Sequence, residues 1–215
     1  MTAKTVPFSQ SLTVGWEIFK QNALFLIGLV VAVALMNGVL ERADEYSHIE
    51  SQYIRFVINV IAFLVNCLIE LGVINIVLKF IDGKNPEFGD LFNRLDLALP
   101  FAVATVLYIL MVVVGLVFFV IPGFYIAVRF GYYGYFIVDE GADPIEALKK
   151  SSAITQGVRM DLFLFGLMIA GLTLLGCLVL FVGLLVAVPV TNLAIAFVYR
   201  HLKGATTEQA TTVTP

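Results

Sequence analysis

Long apolar stretches make up most of the chain, and short polar segments separate them. A helix rises about 1.5 Å per residue, so about 20 apolar residues cross the hydrocarbon layer of a bilayer. The stretches predict six membrane-spanning helices, at residues 23–40, 56–78, 100–120, 124–138, 162–181 and 184–200. None of them alternates as barrel strands do. The pattern therefore predicts an all-α, integral membrane bundle.

The last two spans come from one apolar stretch. As a single helix, residues 162–199 would be about 57 Å long, which exceeds the thickness of a bilayer. We therefore expect the chain to fold back near Gly176 or Gly183, and Pro189 to kink the last helix. Ile121-Pro122-Gly123 predicts a turn before the fourth span, which is short; a re-entrant segment is the alternative.

Three polar segments have an apolar face at helical spacing and predict amphipathic helices on the cytoplasmic side. They are residues 9–20, 86–99 and 144–157. We expect each to lie in the membrane interface and to lead into a crossing. The first places Leu12, Trp16 and Phe19 on one face; the second places Phe88, Leu91, Phe92, Leu95 and Leu99 on one face. Each segment and the two spans that follow it are compatible with one unit of a threefold repeat. The alternative is an ordinary bundle of hairpins, which has a similar pattern.

The distribution of cations predicts the orientation. With six crossings, ten Lys and Arg residues lie on one side and only Arg42 and Arg55 on the other. Cytoplasmic loops carry the excess of cations, so both termini are predicted to be cytoplasmic and loop 41–52 to lie outside. We expect a retained first helix, one transmembrane domain at residues 1–204, and a disordered tail at residues 205–215.

Composition supports a membrane protein. The chain of 215 residues is 60% hydrophobic and 13% charged, and its mean hydropathy is +0.96. Soluble domains are about a quarter charged. The net charge of −3 and the lack of a basic run give no indication of nucleic-acid binding. Cys67 and Cys177 lie in apolar stretches, and His48 and His201 are far apart, so neither a disulfide, a metal site nor a cofactor is predicted.

A polar stripe runs along the second predicted span. Arg55, Asn59, Asn66 and Glu70 fall at i, i+4, i+11 and i+15, within about 60° of the helix circumference at 100° per residue. Charged side chains are costly in hydrocarbon, so we expect the stripe to face protein or water rather than lipid.

The fourth predicted span has two different faces. Gly123, Ala127 and Gly131 form a small-residue line that permits close helix packing, and Arg129 lies opposite among aromatic residues. We expect Arg129 to pair with Glu70 inside the bundle, as a helix-registering ion pair or as a gate, proton site or headgroup anchor. The alternative is that Arg129 reaches Asp139 or Glu140.

The order of several motifs resembles a known family. The motifs are Gly15-Trp16 with Phe19-Lys20 and Asn22, Ile121-Pro122-Gly123, Arg129, Val138-Asp139-Glu140-Gly141, 144–151, Thr155-Gln156-Gly157, Pro189, Leu193-Ala194 and Tyr199-Arg200. They resemble the membrane domain of bacterial glycerophosphoryl diester phosphodiesterases and related six-helix inner-membrane proteins, including the YciC-like ones. The resemblance implies a bacterial cytoplasmic membrane and this fold. That family's catalytic barrel is absent, so it implies no activity.

Three functional hypotheses remain. The first is a non-enzymatic envelope scaffold that organises lipids or partner proteins, with membrane lipids and a protein partner or second copy as its partners. The second is a transporter or channel for a small solute, ion or lipid that uses the polar stripe. The third, a lipid enzyme, is disfavoured because acids in a connecting loop are usually caps or solvated charges. Lys149, Lys150 and Arg159 are candidate ligands for anionic headgroups.

Overall fold

The computed structural model describes the backbone of residues 5–45, 52–178 and 183–213, and the side chains of residues 5–39, 52–178 and 183–207. These residues form an all-α fold, without a strand. The helices are α1 Phe8–Gln21, α2 Ala23–Glu45, α3 Gln52–Ile81, α4 Ala98–Phe118, α5 Val120–Phe130, α6 Tyr133–Glu140, α7 Pro144–Ile154, α8 Arg159–Leu178 and α9 Leu184–Val213. Two short 3-10 turns, Phe88–Leu91 and Leu95–Leu97, precede α4.

Four helices in the described ranges are long and apolar enough to cross a membrane. They are Gln52–Ile81, Phe88–Phe118, Arg159–Leu178 and Leu184–Thr207. Helix α1 and the part of α2 up to Val39 meet at an angle of 96°. If these two helices count as one broken span, the number of candidate spans is five. The all-α class is therefore confirmed, and the helices are compatible with a membrane protein.

The fourth predicted span, residues 124–138, is two short helices rather than one. The chain leaves helical geometry between α5 and α6, at Gly131 and Tyr132. The 11 residues of α5 and the 8 residues of α6 are each too few for a crossing. The Tyr132 amide donates a hydrogen bond to the Ser151 hydroxyl oxygen, 3.0 Å away in α7. The local sequence pattern does not predict this break, because the acceptor belongs to a different helix.

The turn before this region lies earlier than the sequence predicts. Phe119 is extended (φ −159°, ψ 140°), and α5 already begins at Val120. Pro122 therefore occupies the first turn of α5, where a missing N–H costs nothing. Gly123 permits the tight hairpin, since a Cβ there would lie 2.4 Å from the nearest side-chain carbon of Leu116.

The predicted amphipathic helix at residues 86–99 is replaced by the two 3-10 turns. The Asp90 carboxylate accepts hydrogen bonds from the Glu87 amide (2.9 Å) and from Lys79 Nζ (2.6 Å), while its carbonyl accepts one from Asn75 (2.9 Å). A side chain that binds the local backbone competes with helix formation. Contacts with α3 therefore shape this segment.

Helix α1 buries only part of the predicted face, including Phe19. Its buried residues are Ser11, Gly15 and Phe19, whereas Trp16 remains 45% exposed. A Cβ on Gly15 would lie 2.7 Å from the Val190 carbonyl oxygen. Small residues thus bring α1 onto α9, and the apolar periodicity alone gave no sign of that partner.

The apolar stretch from residue 162 folds back as predicted. Helix α8 ends at Leu178 and α9 begins at Leu184. Gly176 and Gly183 meet there, because a Cβ on Gly183 would lie 2.5 Å from the Gly176 carbonyl oxygen. Pro189 lies within α9, which extends to Val213 and so runs through most of the segment predicted to be disordered. Residues 46–51 of the predicted outer loop lie outside the described ranges, and α2 continues to Glu45.

The packed core occupies one end of the bundle. Buried side chains concentrate in the second half of α3, in α6 and in residues 187–202 of α9, where Tyr199 is fully buried. The remaining lengths of α3, α4 and α8 expose apolar side chains, among them Phe56, Val113 and Leu174. This end has little protein around it, as expected for helices solvated by lipid.

Candidate functional site

An ion-pair network, defined here as Asp82, Asp139, Glu140, Glu146, Lys150, Arg200 and Lys203, joins four helices at the packed end. Its centre is Asp139 at the end of α6. One carboxylate oxygen of Asp139 accepts hydrogen bonds from Arg200 (2.6 Å), Lys203 (2.5 Å) and the Tyr199 hydroxyl (2.9 Å). The side chain of Asp139 is only 14% exposed.

The network extends from Asp139 in two directions. Arg200 also binds Asp82, just after α3, at 2.7 Å. Lys203 also binds Glu140 at 2.5 Å, and Lys150 of α7 bridges Glu140 and Glu146, each at 2.6 Å. The network therefore places the end of α3, the end of α6, α7 and the last part of α9 side by side.

The electrostatics of the network favour charged carboxylates. Burial alone would raise the pKa of Asp139, but hydrogen bonds from Lys203, Arg200 and Tyr199 outweigh burial and hold that pKa below its ordinary value. For Glu140, hydrogen bonds from Lys150 and Lys203 likewise outweigh burial and lower the pKa. Hydrogen bonds to Glu140 and Glu146 raise the pKa of Lys150. Such a network locks helices together and is poorly suited to proton transfer near neutral pH.

Acids that are close in sequence separate in the structure. Asp139 and Glu140 belong to the network, whereas Asp143 lies at the start of α7 and Asp161 lies in the first turn of α8. Among the residues that the structure describes, no group of three His, Cys, Asp or Glu side chains is placed to hold a metal ion.

Arg129 does not pair with Glu70. Its Nε donates a hydrogen bond to Ser152 Oγ at 2.7 Å, and its guanidinium lies 5.0 Å from the centre of the Phe130 ring. Within the described ranges Arg129 forms no ion pair, so the alternatives Asp139 and Glu140 are also wrong; the network cations occupy them. Arg129 instead contributes to the helix break, because its carbonyl accepts the Ser151 and Thr155 hydroxyls at 3.2 Å each.

The small-residue line of the fourth predicted span lies against α4 at two points. Gly123 is buried beside Leu116, and the Ala127 carbonyl accepts a hydrogen bond from the Tyr108 hydroxyl at 3.3 Å. Gly131, the third member of the line, is exposed and ends α5.

The polar stripe lies on the outer surface of α3. Arg55, Asn59, Asn66 and Glu70 are all exposed. The amide nitrogen of Asn66 donates to the Ala62 carbonyl of the same helix at 3.0 Å. The rest of the described chain therefore leaves this stripe uncovered, and a polar stripe on a membrane helix requires water or another protein beside it.

The three predicted headgroup ligands occupy different environments. Lys150 is neutralised in the network. Lys149 lines a cleft of about 530 Å³ that includes Val103, Leu107 and Glu146. Arg159 lies apart from both, in a second cleft.

This second cleft, the α5–α8 groove, is almost wholly apolar. It has a volume of about 470 Å³ and is lined by Ile121, Phe124, Tyr125, Val128, Arg159, Met160 and Phe163. The Arg159 guanidinium donates to the Tyr125 hydroxyl and lies 4.9 Å from the centre of that ring. The buried Nε of Arg159 has no hydrogen-bond partner, and Arg159 forms no ion pair within the described part of the chain. The sequence indicated Arg159 but gave no signal for Tyr125, which is 34 residues away.

Comparisons with protein families, with curated proteins and with solved structures find no significant match to this chain.

Proposed function

We propose that this chain is a non-enzymatic integral membrane protein that binds and organises anionic phospholipid. The observation that carries the proposal is Arg159, an arginine without a carboxylate partner among the described residues, at the edge of an apolar groove. Apolar clefts with a few placed polar groups are typical ligand sites.

The groove matches the two parts of a phospholipid. The guanidinium of Arg159 presents several N–H donors, and arginine binds phosphate in a bidentate manner. The rings of Phe124 and Phe163, together with Met160, provide the apolar surface that an acyl chain would cover. A cation near an anionic membrane surface contributes about 1 kcal/mol, so the apolar contact must supply much of the affinity.

The proposed topology has both termini in the cytoplasm of a bacterium, with α5 and α6 together completing the fourth of six crossings. Its support is the network, which brings together cations that the orientation rule assigns to one side: Lys150, Arg200 and Lys203. Helices α1 and α7 then lie near the cytoplasmic interface. We also propose that this chain is related to the membrane domain of glycerophosphoryl diester phosphodiesterases.

Lipid retention tests the proposal. The wild type, Arg159→Gln and Lys84→Gln would be purified gently from membranes containing phosphatidylglycerol, and bound lipid would be counted by native mass spectrometry. Lys84 is the matched control, because it is exposed and has no ion pair within the described ranges. We expect Arg159→Gln to retain several-fold less phosphatidylglycerol and Lys84→Gln to resemble the wild type. Equal retention by all three proteins would refute the proposal.

Transport of a small solute, ion or lipid is the second candidate, and the exposed stripe on α3 favours it. Glu70 is the acidic member of the stripe, and because the stripe lies on the outer surface of α3, the path would run between α3 and water or a second protein. A flux into proteoliposomes that disappears in Glu70→Gln and persists in Glu17→Gln would support transport over lipid organisation.

A further inference from the structure

The first half of α3 carries amides at a coiled-coil spacing. Gln52, Asn59 and Asn66 are each seven residues apart, and Arg55 and Ala62 fall between them at the second position of the same seam. These residues lie on one face of the helix, because heptad positions a and d line a single stripe. We call this face the α3 seam.

Among the residues that the structure describes, the α3 seam has no partner on another helix, and Asn66 bonds only to the Ala62 carbonyl of α3. Gln52, Arg55, Asn59 and Asn66 are exposed, and neither asparagine hydrogen-bonds to another helix among the described residues. Apolar neighbours surround them: Phe56 is 69% exposed and Val60 is 41% exposed. An amide presented to hydrocarbon without a partner is costly, so a polar group from outside the chain is expected there.

We propose that the α3 seam pairs with the same seam of a second copy of this chain, in parallel, about a two-fold axis. A side-chain amide is both donor and acceptor, so it is complementary to itself. The two-fold axis sets Asn59 against the partner's Asn59 and Asn66 against the partner's Asn66. Asparagine at a positions is a known determinant of register in parallel two-stranded coiled coils.

The neighbouring residues are compatible with this pairing. Ala62 lies between the two asparagines and is small enough for the helices to approach closely. Arg55 lies one turn from the start of α3, so its long side chain reaches the aqueous boundary and avoids its counterpart.

An antiparallel pair would instead set Arg55 opposite the partner's Glu70. It would require two copies inserted in opposite orientations. The ten-to-two distribution of cations opposes mixed insertion, so the parallel arrangement is the one that we infer.

Disulfide cross-linking in the native membrane tests the seam. A background with Cys67→Ala and Cys177→Ser removes the native thiols, and Ala62→Cys then places one on the seam. Ile61→Cys, which is exposed but lies off the seam, is the matched control. We expect dimers from Ala62→Cys and several-fold fewer from Ile61→Cys; equal yields would overturn the proposal.

The amides are tested on the Ala62→Cys background. Asn59→Leu with Asn66→Leu should lower the cross-linked fraction several-fold, while Asn192→Leu should leave it unchanged, because Asn192 lies in α9 and donates, like Asn66, to a carbonyl of its own helix. Thermal unfolding of the monomer in detergent verifies that the double variant is folded. Undiminished cross-linking of a folded double variant, or a cross-link to a different polypeptide, would overturn the proposal.

Discussion

At the residue scale, the neighbours of a charged side chain decide its role. The sequence does not distinguish Lys150 from Arg159 as cations, but Lys150 is bound by two glutamates and Arg159 lies over a tyrosine. Asp139 shows the same dependence, because three donors converge on a single carboxylate oxygen. Except for Glu146, which lies four residues from Lys150 in α7, these partners come from other elements of the fold.

Asp139→Asn should destabilise the protein at neutral pH by about 1.5–3 kcal/mol, since three donors lose a charged acceptor while Arg200 and Lys203 keep Asp82 and Glu140. The pKa of Asp139 is lowered in the folded state, so its contribution is present above the unfolded pKa of about 3.9 and is lost as pH falls through the folded pKa. Thermal unfolding in detergent between neutral and acidic pH measures this. The difference in stability between the wild type and Asp139→Asn should become smaller as the pH is lowered.

Asp161→Asn is the control for this experiment. Asp161 has no ion pair in the described ranges, so its variant should follow the wild-type curve. A constant gap between wild type and Asp139→Asn at every pH would contradict a role that depends on the charge of Asp139.

At the element scale, contacts between segments reshape helices whose composition predicts longer ones. The break between α5 and α6 is held by two hydroxyls, on Ser151 of α7 and on Thr155 directly after α7. The segment before α4 follows α3 in the same way, because the Asn75 amide of α3 donates to the Asp90 carbonyl at 2.9 Å. In both places a tertiary contact replaces a helical hydrogen bond.

Ser151→Ala combined with Thr155→Val should destabilise the local structure at the break between α5 and α6. The Tyr132 amide would lose its acceptor and the Arg129 carbonyl its donors, at a cost of about 1–3 kcal/mol for each buried group left unpaired. Hydrogen exchange at residues 129–133 should become faster by at least tenfold, since 1.4 kcal/mol corresponds to a factor of about ten.

Thr173→Val provides the comparison, because within the described part of the chain Thr173 bonds only to the Ile169 carbonyl of its own helix. It should leave exchange at residues 129–133 unchanged. Faster exchange in both variants would show that the break is not held specifically by α7.

At the scale of the whole molecule, the bundle has a packed polar end and an open apolar end. The network ties α3, α6, α7 and α9 at the packed end. The apolar side chains at the other end are uncovered, which suits lipid or a second copy and would be unfavourable in water.

Labelling of introduced cysteines with an impermeant reagent tests the proposed orientation. On a background without native cysteines, Phe119→Cys in the turn between α4 and α5 should react in intact cells. Lys84→Cys and Gln156→Cys, both at exposed positions, should react only after the membrane is opened. The reverse pattern would place the network outside, and reaction at all three sites in intact cells would contradict a fixed orientation.

The sequence by itself determined the helical class and the location of the long apolar helices. It also located the fold-back near Gly176 and Gly183. These features depend on runs of neighbouring residues, because transfer into hydrocarbon and backbone hydrogen bonding within a helix are local. The positions of the stripe residues on one face of α3 follow from helical periodicity for the same reason.

Only the tertiary structure decided which side chains meet. The partner of Arg129 is a serine rather than Glu70, Arg159 meets Tyr125, and α1 approaches α9 through Gly15. These contacts join residues separated by more than 20 positions in the chain, and several chemically equivalent partners were available to each one. Packing geometry selects among those partners, and the local hydrophobic pattern carries no information about that choice.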